Sequence, residues 1–173
     1  MKKVIIVIII AVIGVGIYYT GIYTYFQEDM VDEKIPEFVS DPEPTTTPDG
    51  ETPAPTPTPQ INTVKQGNFV DADFIHKGSG QASVLEYPDG RKILRFENFE
   101  TINGPDLFVY LSETQNPGGN VNSLGSYIDL GRLKGNKGNQ NYELPDGINI
   151  DSFGSVVIWC KQFSVLFPYA ILE

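Results

Sequence analysis

Ser155-Val156-Val157-Ile158-Trp159-Cys160-Lys161 is the most apolar run of the chain beyond its N-terminus, and Phe163-Ser164-Val165-Leu166-Phe167 follows it after one residue. At the two-residue period of a strand, Val156, Ile158 and Cys160 share one face, and Val157 and Trp159 share the other. Leu107-Phe108-Val109-Tyr110-Leu111 divides in the same way, with Leu107, Val109 and Leu111 on one face and Phe108 and Tyr110 on the other. Both of its faces are apolar, as in a central strand. Further short runs are Phe69 to His76, Ala82 to Tyr87, Ile93 to Phe99 and Tyr127 to Leu130, broken by clusters of Gly, Pro, Asn and Asp. No window of this region carries a helical apolar period, whereas Tyr87-Pro88-Asp89-Gly90-Arg91 is a hairpin turn between two strands. Residues 61–173 are therefore expected to form one all-β domain, a sandwich or small barrel. A chain of that size buries somewhat under about 70% of its unfolded surface and needs no disulfide framework.

The N-terminus sets the compartment. Lys2-Lys3 precedes an uncharged stretch from Val4 to Phe26, longer than the roughly 20 residues a bilayer requires. Residues 1–26 read as a transmembrane anchor that meets the lipid bilayer through residues 4–26. Two lysines before the stretch and Glu28, Asp29, Asp32 and Glu33 after it place the N-terminus in the cytoplasm and the rest outside the cell membrane, crossed once. The alternative is a cleaved signal peptide ending at Gly14-Val15-Gly16. Signal peptides have apolar regions of about 7–15 residues, and here Ile17 to Phe26 continues with tyrosines that suit an interfacial belt. No cysteine stands near that site, which excludes lipid modification of a thiol.

Residues 27–60 read as an acidic linker. The net charge of −10 is concentrated there, with nine acidic residues against Lys34 alone. From Asp41 to Pro59 the chain is almost entirely Pro, Thr, Asp and Glu, including Thr52-Pro53-Ala54-Pro55-Thr56-Pro57-Thr58-Pro59. Such a segment cannot form a core, and as disordered, semi-extended polyproline II it would lift the domain up to roughly 100 Å from the bilayer. The acidity argues against nucleic acid as a partner, since a phosphate backbone needs a basic footprint. No Asn-x-Ser/Thr sequon occurs.

Cys160 is the single cysteine. It is a buried space-filler, half of an intermolecular disulfide, or a reactive thiol or cofactor ligand. If its face is the core, burial raises its pKa above about 8.5 and it is inert. If Lys161 ends the sheet, a partner can reach it at the rim.

Several segments together resemble one family. They are Phe74-Ile75-His76-Lys77-Gly78-Ser79-Gly80, Leu94-Arg95-Phe96-Glu97-Asn98-Phe99, Asn103 to Ser112, Leu130 to Gly135, Gly138 to Pro145, and Ser155 to Phe167. Their order is similar to the DM-thirteen domain, the "electron transfer DM" module that accompanies DOMON domains. The resemblance covers nearly all of residues 65–173. It implies an extracytoplasmic β-rich module with a redox or electron-transfer role, in which a nearly invariant cysteine, falling on Cys160, acts as a free thiol or a haem ligand. The chain departs from the family at Pro168, where glycine usually follows the phenylalanine.

Residue counts limit the redox chemistry. His76 and Cys160 are the only histidine and cysteine, and both methionines, Met1 and Met30, precede the domain. Blue copper, structural zinc, cysteine-ligated iron–sulfur clusters and covalent c-type haem all need more ligands than this. What survives is non-covalent haem with Cys160 or His76 as axial ligand, or a thiol that cycles through sulfenic acid or mixed disulfide. The plain alternatives are a turn histidine and a packing cysteine. No serine has a histidine placed as its base, which excludes a hydrolase triad. Pro117-Gly118-Gly119-Asn120 and Gly135-Asn136-Lys137-Gly138-Asn139 read as turns rather than phosphate loops. Asp71 and Asp73 lack the EF-hand spacing. The competing functional reading is a non-enzymatic surface-binding module with Cys160 structural, motivated by the tether and the shortage of catalytic residues. Its partner would be a surface protein, against a redox protein in the first reading.

Overall fold

The structure, a computed structural model, describes residues 2–21, 23–24, 27–38 and 60–173. An apolar helix α1 (Lys2–Thr20) precedes nine strands: β1 (Met30–Asp32), β2 (Asn62–Val70), β3 (Gly78–Glu86), β4 (Lys92–Thr101), β5 (Leu107–Ser112), β6 (Tyr127–Arg132), β7 (Lys137–Glu143), β8 (Ser155–Cys160) and β9 (Val165–Ile171). They form one sheet in the order β1-β7-β4-β3-β2-β9-β8-β5-β6. Every neighbouring pair is antiparallel except β1 and β7. The fold is thus mostly β, as the alternation requires, and it is a single sheet curled into a half-barrel.

The curl is made at β2. Its residues 62–68 pair with β3, and its last two, Phe69 and Val70, pair with Ala170 and Tyr169 of β9. At Gly67 a Cβ would lie 1.8 Å from the Ile171 carbonyl oxygen, so only glycine lets the two strands close there. Curling brings the inner face of β3 and β4 (Ala82, Val84, Leu94, Phe96) against that of β5 and β8 (Leu107, Val109, Leu111, Val156, Ile158, Cys160). Phe69, Phe96 and Phe99 fill the space between, with ring centroids 4.7–5.1 Å apart. Each such ring contributes about 1.5–3 kcal/mol through burial.

The opposite face of β5 and β8 is covered as well. Tyr110, Val157 and Trp159 pack with Leu124 and Leu166 under the loop that joins β5 to β6. Ser112 Oγ donates to Leu124 O and Ser155 Oγ donates to Thr114 O, each at 2.5 Å, which fastens that loop down. All six residues of β8 are consequently buried. The division of faces read at β5 and β8 is the one observed.

Three boundaries differ from the sequence reading. The run Phe69 to His76 is not a strand: β2 ends at Val70, and Asp73 Oδ1 then accepts from the backbone N–H groups of Ile75 and His76, each at 2.7 Å, bending the chain into a loop. Lys137 to Asn139, read as turn, belong to β7, where flanking Asn136 Nδ2 donates to Thr101 O at 2.9 Å. Phe163 lies in the turn before β9. Pro168 is absorbed by a bulge, since Val157 pairs with Tyr169 and Trp159 with Leu166, leaving Phe167 and Pro168 opposite Ile158. The register at Cys160 itself, opposite Leu107 and Val165, is regular.

Residues 27–38, read as the start of the linker, also pack on the domain. Met30, Val31 and Asp32 run parallel to Lys137, Gly138 and Asn139, and Phe38 packs beside Ile61 on Leu85, Tyr87 and Ile93. The Pro/Thr stretch Asp41 to Pro59 lies outside the described residues.

Candidate functional site at the end of strand β8

Cys160 is the last residue of β8 and is 0% exposed. Its side chain points into the main core with Val156 and Ile158, as the period of two requires. Behind it the chain turns through Lys161, Gln162, Phe163 and Ser164, all exposed, and Ser164 adopts a left-handed φ of 52°. That conformation is costly for a residue with a Cβ. The thiol is therefore dry but only one residue from solvent.

The sulfur is not in a purely apolar setting. Backbone N–H groups of Phe163, Asp106 and Gln162 beside it favour its charged form. Asp106 is placed there by the edge of β5, where Leu107 stands opposite Cys160 and Lys161 N–H donates to Asp106 O at 3.0 Å. Burial pushes the Cys160 thiol up; the three amides pull it down by less, and the Asp106 carboxylate adds a further push. The net direction is upward, so the resting group at neutral pH is the thiol. The amides nevertheless point where charge would build up on sulfur if the proton left.

The rim around this strand end is charged and paired. Lys161 Nζ lies 2.7 Å from Asp129 Oδ2 and 3.4 Å from the centroid of the Phe108 ring. Arg132 Nη2 lies 2.6 Å from Asp106 Oδ1. These pairs hold β5, β6 and the turn after β8 together at this strand end, on the Phe108 face of the sheet and not on the face of the sulfur.

His76 sits in a different place. Its Nδ1 is 2.7 Å from Asp73 Oδ2, and its ring packs on Phe167 with centroids 4.5 Å apart. Asp73 in turn is held down to about 2, first by the His76 backbone N–H and then by the His76 ring. Among the described residues no hydrogen bond joins His76 to Cys160; Phe167 lies against His76 on one side and belongs to the core cluster of Cys160 on the other. The fold does not build a Cys–His dyad.

A haem held by Cys160 does not fit this arrangement. An axial ligand needs an open face for the macrocycle, whereas Cys160 is fully enclosed and lines none of the described cavities. Among the described residues no group of three or more His, Cys, Asp or Glu side chains is arranged for a metal ion. The face of Cys160 is the core, so the resting thiol is unreactive, and chemistry at the sulfur requires the turn after β8 to open. The sequence reading located Cys160 and its face but missed the three amide donors. Asn103-Gly104-Pro105-Asp106-Leu107 was the available signal, a turn running straight into an apolar strand.

The sequence model of one protein family, described as Electron transfer DM13, matches residues 68–172, more than half of the chain. The match runs from the end of β2 through β9 and so includes both Cys160 and His76. No curated protein and no solved structure matches the chain.

Proposed function

The chain belongs to the electron transfer DM13 family, and from that premise we propose that it is a membrane-anchored, extracytoplasmic redox domain whose active group is the Cys160 thiol. What supports the reading is the place of the sulfur: it is fully buried at the end of β8, one residue from an exposed turn, within the residues the family model matches, and beside backbone N–H groups of Asp106, Gln162 and Phe163 that favour its charged form. Donors at sulfur lower the cost of the thiolate that every thiol oxidation and exchange passes through. Membrane attachment rests on α1, and its orientation on Lys2 and Lys3 before it and the acidic residues after it.

The cycle that one thiol can run is fixed by its being alone. A hydroperoxide converts the thiol to sulfenic acid by a two-electron step, the peroxide leaving as alcohol or water. No second cysteine in the chain can condense with it. An external thiol forms a mixed disulfide with loss of water, and a second external thiol releases the Cys160 thiol and leaves as the external disulfide. The exposed turn Lys161 to Ser164 is the element that opens to admit these reagents. Treating the full chain with hydroperoxide and a sulfenic-acid trap should label Cys160, at a rate that rises when the turn is loosened. Redox turnover that is the same in Cys160→Ser would overturn the proposal. Haem added to the chain is expected to give no thiolate Soret band.

A second reading, a surface-binding module, is favoured by one observation. Phe74 is 85% exposed at the tip of a loop that Asp73 braces through two backbone N–H groups. A rigid exposed aromatic is a binding anchor. Phe74→Ala should leave stability within about 0.5 kcal/mol; if binding to exported proteins and surface glycans is likewise unchanged, this reading fails.

A further inference from the structure

The acidic segment after the anchor is built into the sheet, contact by contact. Lys137 N–H donates to Asp29 O at 3.3 Å and Glu33 N–H to Asn139 O at 2.9 Å, extending the sheet by one parallel strand. Arg95, buried in β4, donates through Nη1 to Glu33 O at 2.6 Å. Lys134 Nζ lies 2.8 Å from Glu33 Oε1, and the Asn141 N–H donates to Glu33 Oε2 at 2.7 Å. Burial pushes the Glu33 carboxyl up, but Lys134 and Asn141 together outweigh it and hold the group below its ordinary range. Farther along, Tyr87 Oη donates to Pro36 O at 2.7 Å. Gly138 has a φ of +99°, and a Cβ there would lie 2.0 Å from Val31 O. The edge of β7 is thus shaped and charged for an acidic, extended segment, and the chain's own residues 28–38 fill it.

Two facts of connectivity follow. Between the end of α1 at Thr20 and Asp29 the chain can span at most about 30 Å even if fully extended. Phe38 and Ile61, which flank the Pro/Thr stretch, pack on the same three residues, Leu85, Tyr87 and Ile93. The linker leaves the domain and returns to it at one place.

We propose that residues 28–38 are a clamp that holds the domain at the bilayer surface. With the clamp seated, the domain is held to the anchor through the short stretch between Thr20 and Asp29, and not through the Pro/Thr stretch. The edge Asn103 to Leu107, which adjoins the clamp through the 2.9 Å contact of Asn103 Nδ2 with Asp29 Oδ2, is the side nearest the membrane. Cys160 lies opposite Leu107 and shares that side. The clamp rests on the anchored reading of α1 and is independent of the redox reading of Cys160.

The test uses the full chain in phosphatidylcholine vesicles. A fluorophore on Asp146→Cys, an exposed site, placed in a Cys160→Ser background so that it is the one thiol, reports energy transfer to a headgroup-labelled lipid. Hydrogen exchange is followed at residues 28–34. Glu33→Lys acts from the clamp side, where it faces Lys134 and Arg95; Gly138→Val acts from the domain side. We expect protected amides and strong transfer in the parent chain. In Glu33→Lys exchange should be about ten- to a hundredfold faster, since hydrogen bonds to a charged group are lost, and transfer should fall. A parent chain that floats with vesicles but exchanges residues 28–34 like free chain overturns the clamp, and so does transfer that stays unchanged when the clamp is released. A chain that does not float with vesicles overturns the anchor and the clamp together.

Discussion

Cys160 and His76 are the one cysteine and the one histidine of the domain, and the fold treats them in opposite ways. At the end of β8 solvent is gone, burial outweighs three amide donors, and the thiol is pushed up. In the loop after β2 solvent is near, hydrogen bonds outweigh burial, and the carboxyl of Asp73 beside His76 is held down to about 2. The same two forces act at both sites. Which one wins is decided by how much water the group has lost. Phe167 lies between the two regions, its ring on His76 and its body in the core, so the contrast can be attacked from the middle or from either end.

The largest effect is expected in the middle. Phe167→Ala removes a fully buried ring and should cost about 3–5 kcal/mol in denaturant unfolding. It should also make Cys160 react with a thiol reagent under native conditions, because the core beside the turn then opens locally. Stability lost without any gain in native reactivity would mean that the turn Lys161 to Ser164, and not the core, controls access to the sulfur.

Next in size is the alkaline arm of the pH–stability curve, which belongs to the Cys160 end. In the folded chain the thiol titrates above its ordinary value, and in the unfolded chain it titrates near about 8.5. The unfolded state therefore loses its proton first. Stability should be full below about pH 8.5 and fall as pH rises toward the folded value. Tyr87, Tyr110 and Tyr142 are also pushed up by burial, but they begin to act only above about pH 10. The interval between about 8.5 and 10 thus isolates Cys160. Unfolding midpoints across it should decline in the parent chain and stay flat in Cys160→Ala. An equal decline in both would assign the alkaline arm to another group.

The two regions also differ in how readily they are read from sequence. The faces of β5 and β8 follow from strict alternation of large apolar residues, so the position of Cys160 was visible, as was the hairpin at Tyr87 to Arg91. The N–H groups beside its sulfur are backbone groups, which no side-chain pattern encodes. Phe74 and Ile75 look like strand residues, and only the Asp73 carboxylate capturing two N–H groups makes them a loop. β7 was hidden because Gly138, Asn139 and Asn141 are turn-forming types. They sit in a strand because Asn139 and Asn141 bond Asp32 and Lys34 of the clamp and Gly138 leaves room for it. A segment read as solvated by its charge thus supplies the partners that make its receiving strand legible.

The smallest effect is the acid arm, and it dissects the His76 end. Asp73 titrates near about 2 in the folded chain and near about 3.9 unfolded. Its contribution is therefore present above about pH 4 and is lost as pH falls through 2. Because Asp73 is largely exposed, the contribution is that of a surface pair, below about 1 kcal/mol. The first cause of the shift is the His76 backbone N–H, which survives any side-chain change, and the ring comes second. In His76→Ala the Asp73 carboxyl, followed by its NMR titration, should move only part of the way back toward 3.9. If it returns fully, the imidazole and not the loop backbone holds Asp73 down. The brace beneath Phe74 would then depend on the His76 ring and not on the loop backbone alone.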